Sequence, residues 1–246
     1  CRLALNEFKN EFGYYPFEQL IYSGLAACEL KAGIANQAHQ REDFHEAVLL
    51  SEEVKANLDS LKIMIGSLLV DYFSQYDSWK KQESDLINKS QQQHTRVLIV
   101  DKIAHTCKLY NDGKLVKEYK VELSKNWIGD KNHQGDKATP EGMYQVIRKF
   151  QPQHTKYHKA LLLNYPNKDD QQRYRENIDK GHILQATPIG GLIEIHGEGG
   201  KGIDWTDGCI ALQNQEMDDL FSFAEAGMAV LIIGSSRRLS EIHQLN

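Results

Sequence analysis

The feature that most constrains this chain is a change of grammar near Thr95. From Tyr14 to Gln93 there are only three glycines, at 24, 33 and 66, and one proline, at 16, among long runs of Ala, Leu, Glu, Lys and Gln. Glycine and proline are the residues least tolerated inside helices, so this stretch is expected to be helical. Phe17, Leu20, Ile21, Gly24, Leu25 and Cys28 fall on one stripe. A second helix is predicted through Phe44, Val48, Leu49, Val54 and Leu58 after a polar break at 40–43, and a third over Leu61–Trp79 with Ile65, Leu68, Leu69, Tyr72, Phe73 and Tyr76. The Ala-rich pair from Ser23 to Asn57 has the flavour of a tetratricopeptide hairpin, but no period of about 34 residues recurs, which leaves a small helical bundle.

After the polar run Ser90–Thr95 the β-branched segment Val97–Val100 opens a different text. Tyr119, Val121 and Leu123 alternate with Lys120 and Glu122, preceded by Asn111-Asp112-Gly113, a hairpin-turn signal. The expected fold is α+β: an N-terminal helical bundle, then a mainly β, sandwich-like domain. The boundaries are 1–93 helical, 94–236 mainly β and 237–246 a polar C-terminal tail.

At 246 residues, 41% hydrophobic and 26% charged, the chain can bury a core. Its net charge is -5, all of it up to Thr95, since the charges beyond that point cancel. Without a basic surface, nucleic acid is an unsuitable partner. The longest apolar run, Ile63–Val70, is far short of a bilayer span, and with no charged and apolar leader pattern at the start any secretion signal is expected to have been removed or never present. Cysteines 1, 28, 107 and 209 are too far apart for a redox pair or a zinc knuckle. Cys28 and Cys107 sit among apolar neighbours and read as inert fillers.

Chemistry concentrates in 192–212, Leu-Ile-Glu-Ile-His-Gly-Glu-Gly-Gly-Lys-Gly-Ile-Asp-Trp-Thr-Asp-Gly-Cys-Ile-Ala-Leu. His196 ends an apolar run and Cys209 opens another, with a glycine-rich loop between them. A thiol is only slightly ionised at neutral pH, and a nearby imidazole can take its proton. Gly208 permits a sharp turn that brings the amides of Gly208 and Cys209 toward a carbonyl oxygen as an oxyanion hole. The same residues also fit a small buried cysteine and an ordinary loop histidine. A metal site of His196, Cys209 and Asp207 lacks a further ligand, so none is expected. A phosphate loop fails because Ile195 stands where its first glycine belongs and Lys201 is followed by Gly202.

Ile195-His196-Gly197, followed thirteen residues after the histidine by Cys209 within Thr206-Asp207-Gly208-Cys209-Ile210-Ala211-Leu212, resembles the active-site signature of the L,D-transpeptidases, the YkuD-type catalytic domain. Gly129-Asp130, Gly135-Asp136, Thr139-Pro140-Glu141-Gly142 and Leu163-Asn164-Tyr165-Pro166-Asn167 with Asp169 or Asp170 also look like that family. The resemblance covers roughly 96–235.

What the resemblance implies is a cysteine acyltransferase that needs no cofactor. Cys209 would be the nucleophile, His196 its general base, and Thr206 the motif's hydroxyl residue beside Gly197 and Asp207. The donor would be a peptidoglycan stem peptide whose third residue, usually diaminopimelate, forms a thioester as the terminal D-alanine leaves. The acceptor would be an amine of a second stem or a protein lysine, with hydrolysis to a carboxypeptidase product, or cleavage of an existing amide, as alternatives. A non-catalytic wall-binding module is a third possibility. Asp207 and Ala211 depart from the commonest pattern, which has His and Arg there, and that bears on donor specificity. With an ordinary imidazole as base, the rate is expected to rise through a pKa near neutrality.

Other roles remain open. Glu198 or Asp204 could orient His196, or a backbone carbonyl could do so while both acids are solvated. Trp205 either packs the loop or lines the cleft. Residues 150–187 read as a long polar insertion. It is either a flap, with Tyr165, Arg173 or Arg175 meeting stem carboxylates, or solvated surface with a short helix near 169–177. His182 could approach His196. Asn214 is expected to cap a small helix over 215–226. The resemblance implies a bacterial envelope location, periplasmic or extracytoplasmic. Cys1 could carry a lipid anchor, and the helical half could hold an envelope protein partner.

Overall fold

The computed structural model describes residues 1–17 and 19–242. Two compact units divide the chain, Cys1–Asp71 and Tyr72–Ile242. The expected order, helices first and then a mainly β domain, is what the chain forms.

The first unit is helical: α1 (Arg2–Phe12), α2 (Gln19–Gln40) and most of α3 (Phe44–Phe73). α1 was not anticipated. Phe8 and Phe12, one turn apart, put their rings 5.3 Å from each other and are both buried. Gly24 lets α2 approach Leu61 of α3, where a Cβ would meet the leucine methyl at 2.9 Å. The predicted break at 40–43 is present, with Glu42 at φ 62 and the Asp43 carboxylate accepting the Glu46 amide. The second and third predicted helices are one continuous 30-residue helix, because nothing at 59–60 interrupts helical propensity. Its apolar face is incompletely covered: Val54, Leu58, Ile65 and Leu69 are buried, whereas Phe44, Val48 and Leu49 are exposed.

The second unit opens with α4 (Tyr76–Gln93), which closes on His94 at φ 52. The strands follow as β1 (Arg96–Asp101), β2 (Thr106–Asn111), β3 (Lys114–Lys120), β4 (Gly142–Phe150), β5 (Ala160–Leu163), β6 (Glu194–His196), β7 (Ile210–Ala211) and β8 (Ala229–Ile233). Between them lie α5 (Lys168–Asp179) and α6 (Asn214–Phe223), and α7 (Leu239–Ile242) ends the description. Of the predicted polar tail, 243–246 lie outside the described residues. No described helix is long and apolar enough to cross a membrane.

The sheet order is β3-β2-β1-β8-β4-β5-β6-β7. Asp112 and Gly113, both at positive φ, turn β2 into β3 as the Asn-Asp-Gly signal predicts. β1 and β8 run parallel at the centre and their Val, Leu and Ile side chains are almost all fully buried, as a strand covered on both faces requires. β4 carries an irregularity between Val146 and Arg148, where it passes from pairing with β8 to pairing with β5. Past β3 the chain returns to the far end of the sheet, where Glu122 bridges Ala211 and Ser124 bridges Thr206.

Loop 129–141, one of the landmarks of the family resemblance, is folded around buried charges. Lys102, fully buried, gives its ammonium to the carbonyls of Gly129 and Thr139 and to Glu141 Oε1 at 2.8 Å. Glu141 also accepts the Tyr72 hydroxyl at 2.6 Å. Asp136 accepts from the Lys131 ammonium and from the amides of Asn132, His133 and Ala138. Each buried charge has partners, as its desolvation demands. The expected polar insertion at 150–187 holds more structure than its composition suggests. Ala160–Leu163 is a sheet strand, and Asn167 starts α5 through a capping box with Asp170.

Candidate active site

β6 and β7 run parallel, pairing Ile195 with Ile210 and His196 with Ala211. Paired residues on neighbouring strands share a face and successive ones alternate, so Glu194, His196, Ala211 and Cys209 point to one side of the sheet, Cys209 beside Glu194.

His196 is fully buried. Its Nδ1 lies 2.6 Å from the Gly197 carbonyl oxygen. A carbonyl only accepts, so Nδ1 carries the proton and Nε2 keeps a lone pair. Nε2 is buried and has no hydrogen-bond partner among the described residues, the Cys209 thiol included. The Tyr157 ring lies on the imidazole with centroids 3.5 Å apart, and Trp205 meets it edge-on at 5.8 Å. Burial pushes the imidazole down to about 4, helped by the Lys156 and Lys201 ammonium groups and opposed by the Gly197 carbonyl. The protonation step expected near neutrality is therefore displaced to acid pH.

Cys209 is partly exposed, its sulfur 3.7 Å from the Leu192 carbonyl. Burial pushes the thiol up to about 11. The Glu194 backbone N–H opposes this, the Glu194 carboxylate adds to it, and Lys156 and Lys131 pull the other way. Between these values the resting pair is a neutral thiol and a neutral imidazole. Glu194 is itself raised, by burial and against the pull of Lys156.

The turn into Cys209 depends on two residues. Gly208 sits at φ +143, and a Cβ there would meet Ile193 Cδ1 at 2.9 Å and the Ala138 carbonyl at 3.0 Å. The Thr206 hydroxyl donates to the Cys209 carbonyl at 2.7 Å and accepts the Gly208 amide at 3.3 Å. That amide is thus turned toward Thr206. Gly197 has no room for a side chain, since a Cβ would meet Asn214 Oδ1 at 2.6 Å.

The remaining candidates separate clearly. Asp204 accepts from the His105 ring at 2.9 Å and the Leu123 amide at 2.7 Å, so it serves the loop. The imidazole is oriented by a backbone carbonyl. Glu198 is exposed, its amide bound to Asn214 Oδ1. Asn214 is therefore a loop anchor within the first turn of α6, and Gln213 stands at the helix cap. Trp205 is pinned by its indole N–H to Glu122 Oε2 at 2.8 Å. Tyr165 is buried with its hydroxyl on the Ile189 carbonyl, and Arg173 is ion-paired to Asp130 and Asp170. Arg175, Asp207 and His182 are exposed, the last in the turn after α5. Tyr157, Lys156 and Glu194 were not singled out from sequence, although the alternation Ile193-Glu194-Ile195-His196 already puts the acid on the histidine's face.

The catalytic-domain model of the L,D-transpeptidases, YkuD, matches residues 95–232, more than half of the chain, and the chain belongs to that family. YafK of Escherichia coli strain K12, which carries an L,D-transpeptidase name, is 29% identical over 115 residues, or 47% of this chain and 39% of YafK. The chain thus spans well under half the length of that relative. Among solved structures, it is similar to the helical cell shape determining protein Pgp2 of Campylobacter jejuni (26% identity, 58% of this chain and 49% of that one, TM-score 0.44). It is also similar to Bd1075 of Bdellovibrio bacteriovorus (22% identity, 63% and 54%, TM-score 0.44).

Proposed function

We propose that the chain is a cysteine acyltransferase acting on peptidoglycan stem peptides in the bacterial envelope. The observation that carries this reading is the β6–β7 register, which sets the Cys209 thiol and the His196 imidazole on one face of adjacent strands, with the unprotonated nitrogen of His196 unpartnered. Since thiol and imidazole rest neutral, His196 Nε2 takes the thiol proton as sulfur attacks the carbonyl of the third stem residue. The Cys209 amide stabilises the oxyanion, and the imidazolium returns its proton to the departing D-alanine amine. An amine of a second stem or of a protein lysine then resolves the thioester. Water in that role gives a carboxypeptidase. In this reading the helical unit contributes no reacting group and serves as a contact surface for an envelope partner, supported by exposed Leu30, Phe44, Val48 and Leu49.

Incubation of the full chain with tetrapeptide muropeptides tests the reading. Cross-linked dimers establish transfer, and tripeptide without dimers establishes hydrolysis. A carbapenem adduct on the protein that disappears in Cys209→Ala places the acyl group. Binding of wall fragments with neither turnover nor adduct refutes catalysis.

A further inference from the structure

We propose that Glu194 and Lys156 form a subsite beside Cys209 for an amino-acid zwitterion, Glu194 receiving its ammonium group and Lys156 its carboxylate. This deepens the stem-peptide reading, on which the placement of the ligand rests. Glu194 stands in the sheet floor next to Cys209 by the parallel register and shares the face of His196. It is half-buried, and its carboxylate forms no hydrogen bond or ion pair among the described residues. Lys156 lies on the covering segment, its Nζ 4.9 Å from the centroid of the Tyr157 ring that lies on His196. Each feels the other electrostatically, yet they form no direct ion pair. One anion in the sheet and one cation on the covering segment thus flank the pair.

Asp207 and Glu198 next to the pair are exposed to solvent, and the other cations are engaged. Lys131 is bound to Asp136, Lys201 lies over the Trp205 ring at 3.2 Å, and the floor residue paired with His196 is Ala211. A half-buried carboxylate without a partner retains its desolvation cost until a cation arrives, which makes it a selective receptor for ammonium. A lone ammonium would satisfy Glu194 and leave Lys156 with only its contact to the Tyr157 side chain. A side chain ending in both ammonium and carboxylate engages the two together. In a stem peptide that group belongs to a third residue whose side chain ends in a free amino-acid centre.

The test uses the full chain carrying Cys209→Ala, so that binding is read without turnover. Three tetrapeptides differing only at residue three are titrated by calorimetry: diaminopimelate with a free side-chain carboxylate, the same residue as its carboxamide, and lysine. The free carboxylate is expected to bind about tenfold tighter than the other two. Adding Lys156→Met erases that preference. Adding Glu194→Gln instead weakens all three about tenfold and leaves the preference in place. Equal affinity for carboxylate and carboxamide, or a preference that survives Lys156→Met, overturns the subsite. If the preference is present while wild-type protein forms no acyl-enzyme, only the transfer reading falls. If no stem peptide binds at all, both fall.

Discussion

The phenol ring of Tyr157 lies flat on the imidazole of His196, their planes only 5° apart. This contact keeps one whole face of the imidazole from water, and burial is the largest cause of its low pKa. Tyr157→Ala readmits water, so the His196 pKa moves from about 4 toward its ordinary value near 6.5. In the proposed reaction only the neutral imidazole accepts the thiol proton, so activity is expected to be lost as pH falls through that pKa. At a pH of about 5 the variant should therefore lose most of its neutral-pH rate while wild type keeps its own. Iodoacetamide labelling of Cys209 across pH, together with an NMR titration of His196, measures both limbs.

The same depressed pKa links pH to stability. A histidine that binds its proton less readily when folded than when unfolded favours the unfolded chain in acid. The stabilisation is complete above about 6.5 and is lost as pH falls toward about 4, amounting to roughly 3 kcal/mol at most. Urea midpoints should fall over that window in wild type and fall less in His196→Asn. Parallel curves for the two proteins would remove His196 as the source.

Gly208→Ala places a methyl group against Ile193 and the Ala138 carbonyl on a backbone at φ +143 that other residues rarely adopt. A cost of about 2 to 3 kcal/mol is expected. Because the strain sits one residue before the thiol, alkylation of Cys209 should slow by more than tenfold even where the thermal midpoint shows the domain folded.

Lys102→Met removes the cation from a site where Glu141, almost fully buried, keeps only the Tyr72 hydroxyl. Destabilisation of about 3 to 5 kcal/mol is expected, read as a lowered midpoint in chemical denaturation. The double variant Lys102→Met/Glu141→Gln should recover part of it, since no uncompensated charge then remains buried.

Much of the site was legible because its chemistry sits at the ends of short apolar runs. His196 and Cys209 bracket a glycine loop, and the pattern of 192–196 already distinguishes an inward isoleucine face from the face bearing Glu194 and His196. Thr206 stood in a motif, but its action on the Gly208 amide required the turn's geometry. Tyr157 was illegible for a different reason: it lies in a polar stretch without periodicity, and only the pairing of β5 with β6 brings that stretch over the imidazole. Arg173 and Tyr165 looked like ligands for carboxylates, yet both were claimed by the protein's own buried acids and carbonyls, which composition does not reveal. In the helical part, Gln40–Asp43 broke a helix as polar turn chemistry dictates, whereas the continuity of Phe44–Phe73 was hidden because the expected stripe took in Phe44, Val48 and Leu49, which are exposed, while the buried stripe Ala47, Val54, Leu58, Leu61, Ile65 and Leu69 runs on without a break.

The bridges from Glu122 to Ala211 and from Ser124 to Thr206 have a bearing on what can pair with the strand that follows Cys209. Both flanks of the strand that follows Cys209 are already hydrogen-bonded, one to β6 and one to this returning segment. An extended peptide therefore finds no vacant main-chain ladder there on which to lie as an added strand.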